Sequence, residues 1–165
     1  VLRLSLPAKP PAEWCRVVID TREQQPLDLA PLPAARGTCD VGDYQLLEYP
    51  NEVAVERKSL PDLVACCGTG RDRFSRQVLR LMGCESKMLM VEASWQEVEM
   101  GQWRSRVTPN VVRNSLLGWM ANGLPVTLAG DRAEASILTR EFLYLAWRRR
   151  YQRARNTIKN MEETE

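Results

Sequence analysis

Short β-branched runs alternating with longer amphipathic stretches predict an α/β sandwich, a mixed β-sheet with helices on both faces. Three observations carry this reading. Val17-Val18-Ile19 and Val53-Ala54-Val55 are apolar runs too short for a helix. Pro50-Asn51 reads as a turn just before the second run, making it one arm of a hairpin. Between and after the later strands lie stretches with apolar residues at helical spacing. With 165 residues and 44% hydrophobic content, the chain fits one domain with a sizeable core, and no internal repeat is visible.

In chain order, Pro7, Pro10 and Pro11 mark an irregular arm over residues 1–15. A first strand follows at about 16–21, then a proline-rich connection from Pro26 to Pro33. A second strand at about 43–48 and its partner at 53–58 form the hairpin. Ser59-Leu60-Pro61-Asp62 has the S-x-x-D form of a capping box with proline in the first turn, so a helix starts there and Gly68-Thr69-Gly70 ends it. A second helix over about 72–82 carries Phe74, Val78 and Leu81 inward, with Arg73, Arg76 and Arg80 on another face. Lys87 to Glu92 reads as a strand whose methionines belong to the core. Thr108-Pro109 starts a helix with Val112, Leu116 and Trp119 buried, which Gly123 ends. Pro125 to Leu128 is the last strand. The last helix runs from about Arg132 into Arg148-Arg149-Arg150, with Leu138, Phe142 and Leu145 facing the core. The main domain is thus 16–147, and 148–165 is a basic helix end and tail.

Composition excludes several chemistries. The chain has no histidine, which removes a Ser-His-Asp triad, a histidine nucleophile and any imidazole-based zinc site. The five cysteines are odd in number and form no C-x-x-C pair, so they read as buried free thiols in a reducing compartment. No secretory segment or membrane-spanning run is visible, and the chain reads as soluble and intracellular, in cytoplasm, nucleoid or nucleus. Val1 in place of an initiator methionine suggests a processed or excised chain. The net charge is only +2, but a basic surplus of four lies between Arg57 and Arg80 and one of six between Arg140 and Lys159.

Carboxylates, lysines, tyrosines and thiols remain as catalysts, and metal-assisted chemistry is the economical choice. Glu56-Arg57-Lys58 closes the apolar run at 53–55. On a strand, Glu56 and Lys58 share one face and Arg57 points the other way. Glu56 can then hold a metal ion while Lys58 reaches the water or phosphate beside it. Asp20 ends the first strand and Asp43 follows Gly42, so three apolar segments each deliver a carboxylate, which suits a hard cation that keeps some of its water.

Ile19-Asp20-Thr21-Arg22-Glu23, Gly42-Asp43-Tyr44 and Glu56-Arg57-Lys58 with Asp62 four residues on together resemble the nuclease domain of the XPF-type structure-specific endonucleases. The family motif, G-D, a spacer and E-R-K-x-x-x-D, is filled at every fixed position. The likeness is densest from Val17 to about Gln77 and continues more loosely to about Leu145. It implies a three-layer, restriction-endonuclease-like fold of the PD-(D/E)XK group and carboxylates that bind magnesium, with manganese as a substitute. It also implies that Arg73 and Gln77 face the cleft.

The expected function is divalent-metal-dependent endonucleolytic hydrolysis of DNA, selective for flap, fork or branched structures in repair, recombination or replication. Asp20, Asp43 and Glu56 are the expected metal carboxylates, and Lys58 positions the attacking water or stabilises charge on the transition state. Arg22 and Arg57 contact phosphate or brace the carboxylates. Asp62 caps its helix or acts as the motif acid. Glu23 has no assigned role. Arg73, Arg76, Gln77, Arg149, Arg150 and Arg153 are the expected DNA contacts, with a solvated basic helix face as the rival reading for the arginine clusters. The competing function is a non-catalytic DNA-binding half of a nuclease heterodimer, and a homodimer or a heterodimer with a related chain is the expected assembly. Family members commonly carry tandem helix-hairpin-helix modules after the nuclease domain. The C-terminal third here has no glycine-hairpin pair of that kind.

Overall fold

The computed structural model describes residues 6–162, excluding the side chain of residue 162. Its six strands are β1 (Val17–Asp20), β2 (Ala34–Gly37), β3 (Tyr44–Leu46), β4 (Tyr49–Ser59), β5 (Ser86–Glu92) and β6 (Val126–Ala129). They form one sheet in the order β2-β1-β3-β4-β5-β6. The β1–β3 and β3–β4 pairs are antiparallel, whereas β1–β2, β4–β5 and β5–β6 are parallel, so the sheet is mixed as expected. The helices are α1 (Leu60–Cys67), α2 (Arg71–Met82), α3 (Trp95–Met100), α4 (Pro109–Ala121) and α5 (Arg132–Glu162).

Strand alternation divides the core in two. Val53 and Val55 of β4, with Met88 and Met90 of β5, pack with Leu143, Ala146 and Trp147 of α5. Ala54, Leu89 and Val91 point to the opposite face, where Leu63 of α1, Phe74 and Leu81 of α2, and Val112 and Leu116 of α4 cover them. The cleft described below opens where both layers end, at the C-terminal end of β4.

Several expected elements are relocated. The hairpin turn is Leu47-Glu48, since Leu46 pairs with Tyr49. Pro50 and Asn51 instead lie in a bulge of β4, with Asn51 in the left-handed region at φ 64° and its Oδ1 accepting from Gln45 Nε2. Strand β2 went unrecognised because Ala34-Ala35-Arg36-Gly37 has no apolar alternation. It is an exposed edge held by parallel pairing to β1. Helix α3 was also missed, although Ser94 and Glu97 form a complete capping box. On α5 the inward stripe is Ala135, Thr139, Leu143, Ala146, Trp147 and Arg150, so Leu145, at 51% exposure, faces solvent and not the core. The helix continues past the Arg148-Arg149-Arg150 run to Glu162. All five cysteines are buried and free. Among the described residues no helix is long and apolar enough to cross a membrane.

Candidate active site

The position of Asp43 is set by backbone. Gly42 adopts φ +70°, and a Cβ there would lie 2.8 Å from the Val55 carbonyl oxygen, so only glycine lets the chain approach β4 so closely. Asp43 N–H then donates to Val55 O, and its carbonyl accepts from Asp20 N–H, each at 2.8 Å. Asp43 Oδ2 accepts from Arg57 N–H at 2.7 Å. The carboxylate is therefore clamped between the ends of β1 and β4.

Glu56 and Lys58 share the β4 face that Ala54 presents to α1 and α2. Lys58 Nζ donates to Glu56 Oε1 at 2.5 Å and lies 5.2 Å from the centroid of the Phe74 ring on α2. Glu56 is 4% exposed. Burial works against the Lys58 ammonium, but Glu56 and Asp43 outweigh it and lift its pKa above the ordinary lysine value. Asp43 is pushed up to about 7, first by burial and then by the Glu56 charge, against the opposing pull of the Arg57 N–H and Lys58. Among the described residues no hydrogen bond reaches Asp43 Oδ1 or Glu56 Oε2.

Arg57 takes the opposite face, as strand alternation requires. Its guanidinium binds Glu23 through Nε at 2.8 Å and Nη2 at 3.1 Å, and Glu92 through Nη1 at 2.9 Å. Glu92 also receives Arg132 at the start of α5, at 3.1 Å. The Arg57 side chain is 8% exposed and braces β4, and Arg57 and Glu23 both line the cleft beside Asp43 and Lys58. This answers the role of Glu23, which the sequence left unassigned. Glu92 and Arg132 escaped notice too, although a buried arginine on the far face of β4 calls for an acid there.

Asp20 has both oxygens filled. Oδ1 accepts from Arg22 N–H and Arg22 Nε at 2.7 Å each, while Oδ2 accepts from Arg22 Nη2 at 2.9 Å and Cys39 N–H at 2.8 Å. The Arg22 guanidinium, joined by the two backbone N–H groups and opposed by burial, holds the acid at about 2. Each Asp20 oxygen thus accepts two hydrogen bonds in this structure, and the side chain ties the end of β1 to the following loops. Arg22 is a brace as well, with a further bond to Cys39 O at 2.7 Å.

Asp62 lies where its capping role requires. Ser59 Oγ donates to Asp62 Oδ2 at 2.7 Å and accepts from Asp62 N–H at 3.3 Å. The same side chain lines two openings that meet at Lys58 and Asp62. One, of about 340 Å³, is walled by Arg22, Asp43 and Lys58, and the other, of about 410 Å³, reaches Arg73. The Cys66 thiol in the second opening is pushed up to about 11, mainly by burial, and stays protonated at neutral pH.

The expected DNA contacts are placed unequally. Arg73 lines the cleft, Arg76 is exposed on the same helix, and Gln77 is half-buried. Arg149 is exposed, but Arg150 is only 5% exposed and binds Glu52, Glu85 and Ser86. Arg153 joins it on Glu85 at 2.5 Å. Arg150 is therefore an internal anchor and not a surface contact, because its stem enters the inward stripe of α5. Glu52 and Lys58 sit at opposite ends of β4, about 20 Å apart along the strand.

Among the described residues no group of three or more acidic, cysteine or histidine side chains is arranged to hold a metal ion. Two carboxylates with free oxygens still suit magnesium, which is commonly held by one or two acids with water and substrate phosphate completing its shell. Asp43 and Glu56, each with one oxygen that accepts no hydrogen bond among the described residues, are the residues that could hold such an ion.

The ERCC4 domain family matches residues 19–142 of the sequence. Among solved structures the chain is similar to XPF from Aeropyrum pernix in complex with DNA, with a TM-score of 0.65 and 20% identity over 81% of this chain and 66% of that one. A second structure of XPF from Aeropyrum pernix gives a TM-score of 0.63 with the same identity and coverage. The chain thus spans 66% of the length of these solved chains, and the likeness is one of fold. Comparison with curated proteins gives no match.

Proposed function

Because this chain belongs to the ERCC4 domain family, we propose that it is a divalent-metal-dependent endonuclease that hydrolyses DNA phosphodiester bonds in the cleft at Lys58. The observation that carries this reading is the Glu56–Lys58 pair at 2.5 Å, fixed in a cleft that Asp43 also lines. DNA as ligand is supported by the similar XPF, which was solved in complex with it.

Asp43 Oδ1 and Glu56 Oε2 would hold the ion. Bound there, magnesium or manganese supplies Lewis acidity and lowers the pKa of its water. Hydrolysis adds a water oxygen to phosphorus, breaks one P–O ester bond and returns a proton to the leaving oxygen. Negative charge grows on the non-bridging oxygens as this occurs. Lys58 is poised for that moment, because Glu56 and the Phe74 ring fix its ammonium before substrate arrives and no reorganisation is needed. Asp43 lines the cleft with its Oδ2 locked by the Arg57 N–H, and among the described residues its Oδ1 accepts no hydrogen bond. Arg57, Glu23 and Glu92 hold the strand in register from behind.

The test is a cleavage panel of single-stranded, duplex, flap, fork and junction DNA, with magnesium, manganese or chelator. Metal-dependent products from at least one substrate are expected. DNA binding without cutting under every metal would reassign the chain to a non-catalytic binding subunit.

A further inference from the structure

One wall of the cleft is the segment Arg22 to Gln25, which follows β1 and lies outside helix and strand. Such a segment keeps a single geometry only where other groups fix it. Here its hydrogen bonds close a cycle. Arg57 on β4 binds Glu23 through Nε and Nη2, and Glu23 Oε1 also accepts from Gln25 N–H at 2.7 Å. Arg132 Nη2 then donates to Gln25 O at 2.7 Å and to Pro26 O at 2.6 Å. Arg132 Nη1 donates to Glu92 Oε1 at 3.1 Å, and the same oxygen accepts from Arg57 Nη1 at 2.9 Å. The cycle joins the ends of β4 and β5, the start of α5 and the cleft wall.

Arg132 is the member that the fold itself requires least. It is the first residue of α5, directly after Asp131, whose Oδ1 accepts from Glu134 N–H, and a cation there opposes the helix dipole. Its side chain is 42% exposed, against 8% for Arg57, 6% for Glu23 and 13% for Glu92, so it fills little core volume. Without it Glu92 keeps Arg57, and no buried charge is left alone. What would be lost is the hold on the Gln25 and Pro26 carbonyls. A guanidinium can span those carbonyls and Glu92 together, whereas an ammonium has no planar fork.

The wall and the reacting groups meet at Arg57. Its side chain belongs to the cycle, its N–H fixes Asp43 Oδ2 at 2.7 Å, and Lys58 is the next residue on β4. We propose that Arg132 is a positioning residue for the cleft. By closing the cycle it holds the Arg22 to Gln25 wall against β4 and keeps Asp43 and Lys58 in the geometry that hydrolysis uses. This rests on the nuclease reading and adds to it a residue that touches neither the ion nor the DNA. Its removal acts on turnover, because displacing reacting groups by about 1 Å can cost about a hundredfold.

The test compares Arg132→Ala and Arg132→Lys with the unsubstituted chain. In Arg132→Ala, kcat on the best-cut DNA should fall at least about tenfold with KM within about twofold. Manganese affinity by electron paramagnetic resonance should weaken at least about threefold. Amide hydrogen exchange should speed at least about tenfold at Gln25 and Arg57, while Met88 to Val91 of β5 keep their protection. Arg132→Lys keeps the charge without the fork and should stay within about threefold of the alanine variant. Full turnover in Arg132→Lys would overturn the bridge in favour of charge alone. Unchanged turnover, metal affinity and exchange in Arg132→Ala would overturn it as well, and protection lost across β5 would assign Arg132 to general stability instead. If the unsubstituted chain cuts nothing, the nuclease reading falls and exchange at Gln25 and Arg57 decides the cycle: faster exchange in Arg132→Ala retains it, and equal exchange overturns it.

Discussion

In the proposed metal site Asp43 and Glu56 are held in different ways. Glu56 shares its charge with Lys58, and Asp43 shares a single oxygen with a backbone N–H. Glu56→Gln replaces an anionic ligand by a neutral amide, which is a poor partner for a hard cation. Manganese titration followed by electron paramagnetic resonance should show at least about tenfold weaker binding in Glu56→Gln and in Asp43→Asn. Asp20→Asn should leave metal affinity within about twofold, because its oxygens are already filled. Asp20 also makes a pH prediction. Its folded pKa of about 2 lies below the ordinary 3.8, so its stabilisation is complete above that value and lost as pH falls towards 2. Asp20→Asn should cost roughly 1–2 kcal/mol at neutral pH and flatten stability between about pH 4 and 2, measured by urea unfolding at each pH. At this scale the sequence was legible where alternation decides geometry, as with Glu56, Lys58 and Arg57. It was silent on which acids were already engaged, since the Arg57 partners Glu23 and Glu92 and the Cys39 N–H bound by Asp20 come from distant parts of the chain, and the local Arg22–Asp20 pairing carries no periodic signal.

Strand β4 is the element on which the account turns, with a layer-facing alternation from Val53 to Lys58 that is visible in sequence. Capping boxes likewise located the start of α1, and the Phe74, Val78 and Leu81 spacing correctly faced α2 inward, Val78 being partly buried. Elements lacking such internal pattern escaped. Strand β2 is defined by its neighbour β1, and the inward stripe of α5 includes a charged residue, Arg150, which hydrophobic periodicity does not score. Arg150 holds α5 to the start of β4 through Glu52 and to the α2–β5 connection through Glu85. Arg150→Ala should therefore lower unfolding free energy by about 1–3 kcal/mol, since it removes a buried guanidinium and leaves half-exposed Glu52 without its partner, while Glu85 keeps only Arg153. The salt slope of DNA binding should be unchanged by that substitution. A thermal melt together with salt-dependent anisotropy separates this anchor from a DNA contact, which would give an intact melt and a flatter slope.

At the scale of the molecule, two apolar layers support one sheet, and the polar cleft lies at the end of its longest strand. The fold class was readable because alternating strands and helices leave few ways to bury both kinds of apolar face. The continuous path from Asp43 past Lys58 to Arg73 was not, since it joins residues from β4, α1 and α2. The central claim is that Lys58 acts on the transition state within this cleft. A lost transition-state contact lowers turnover far more than affinity. The most direct test compares single-turnover cleavage and chelator-phase DNA affinity of the unsubstituted chain and Lys58→Ala on the best-cut substrate. The account predicts a loss of at least about a hundredfold in the magnesium-dependent rate with affinity changed less than about threefold. Cleavage that survives Lys58→Ala within a few-fold would contradict it.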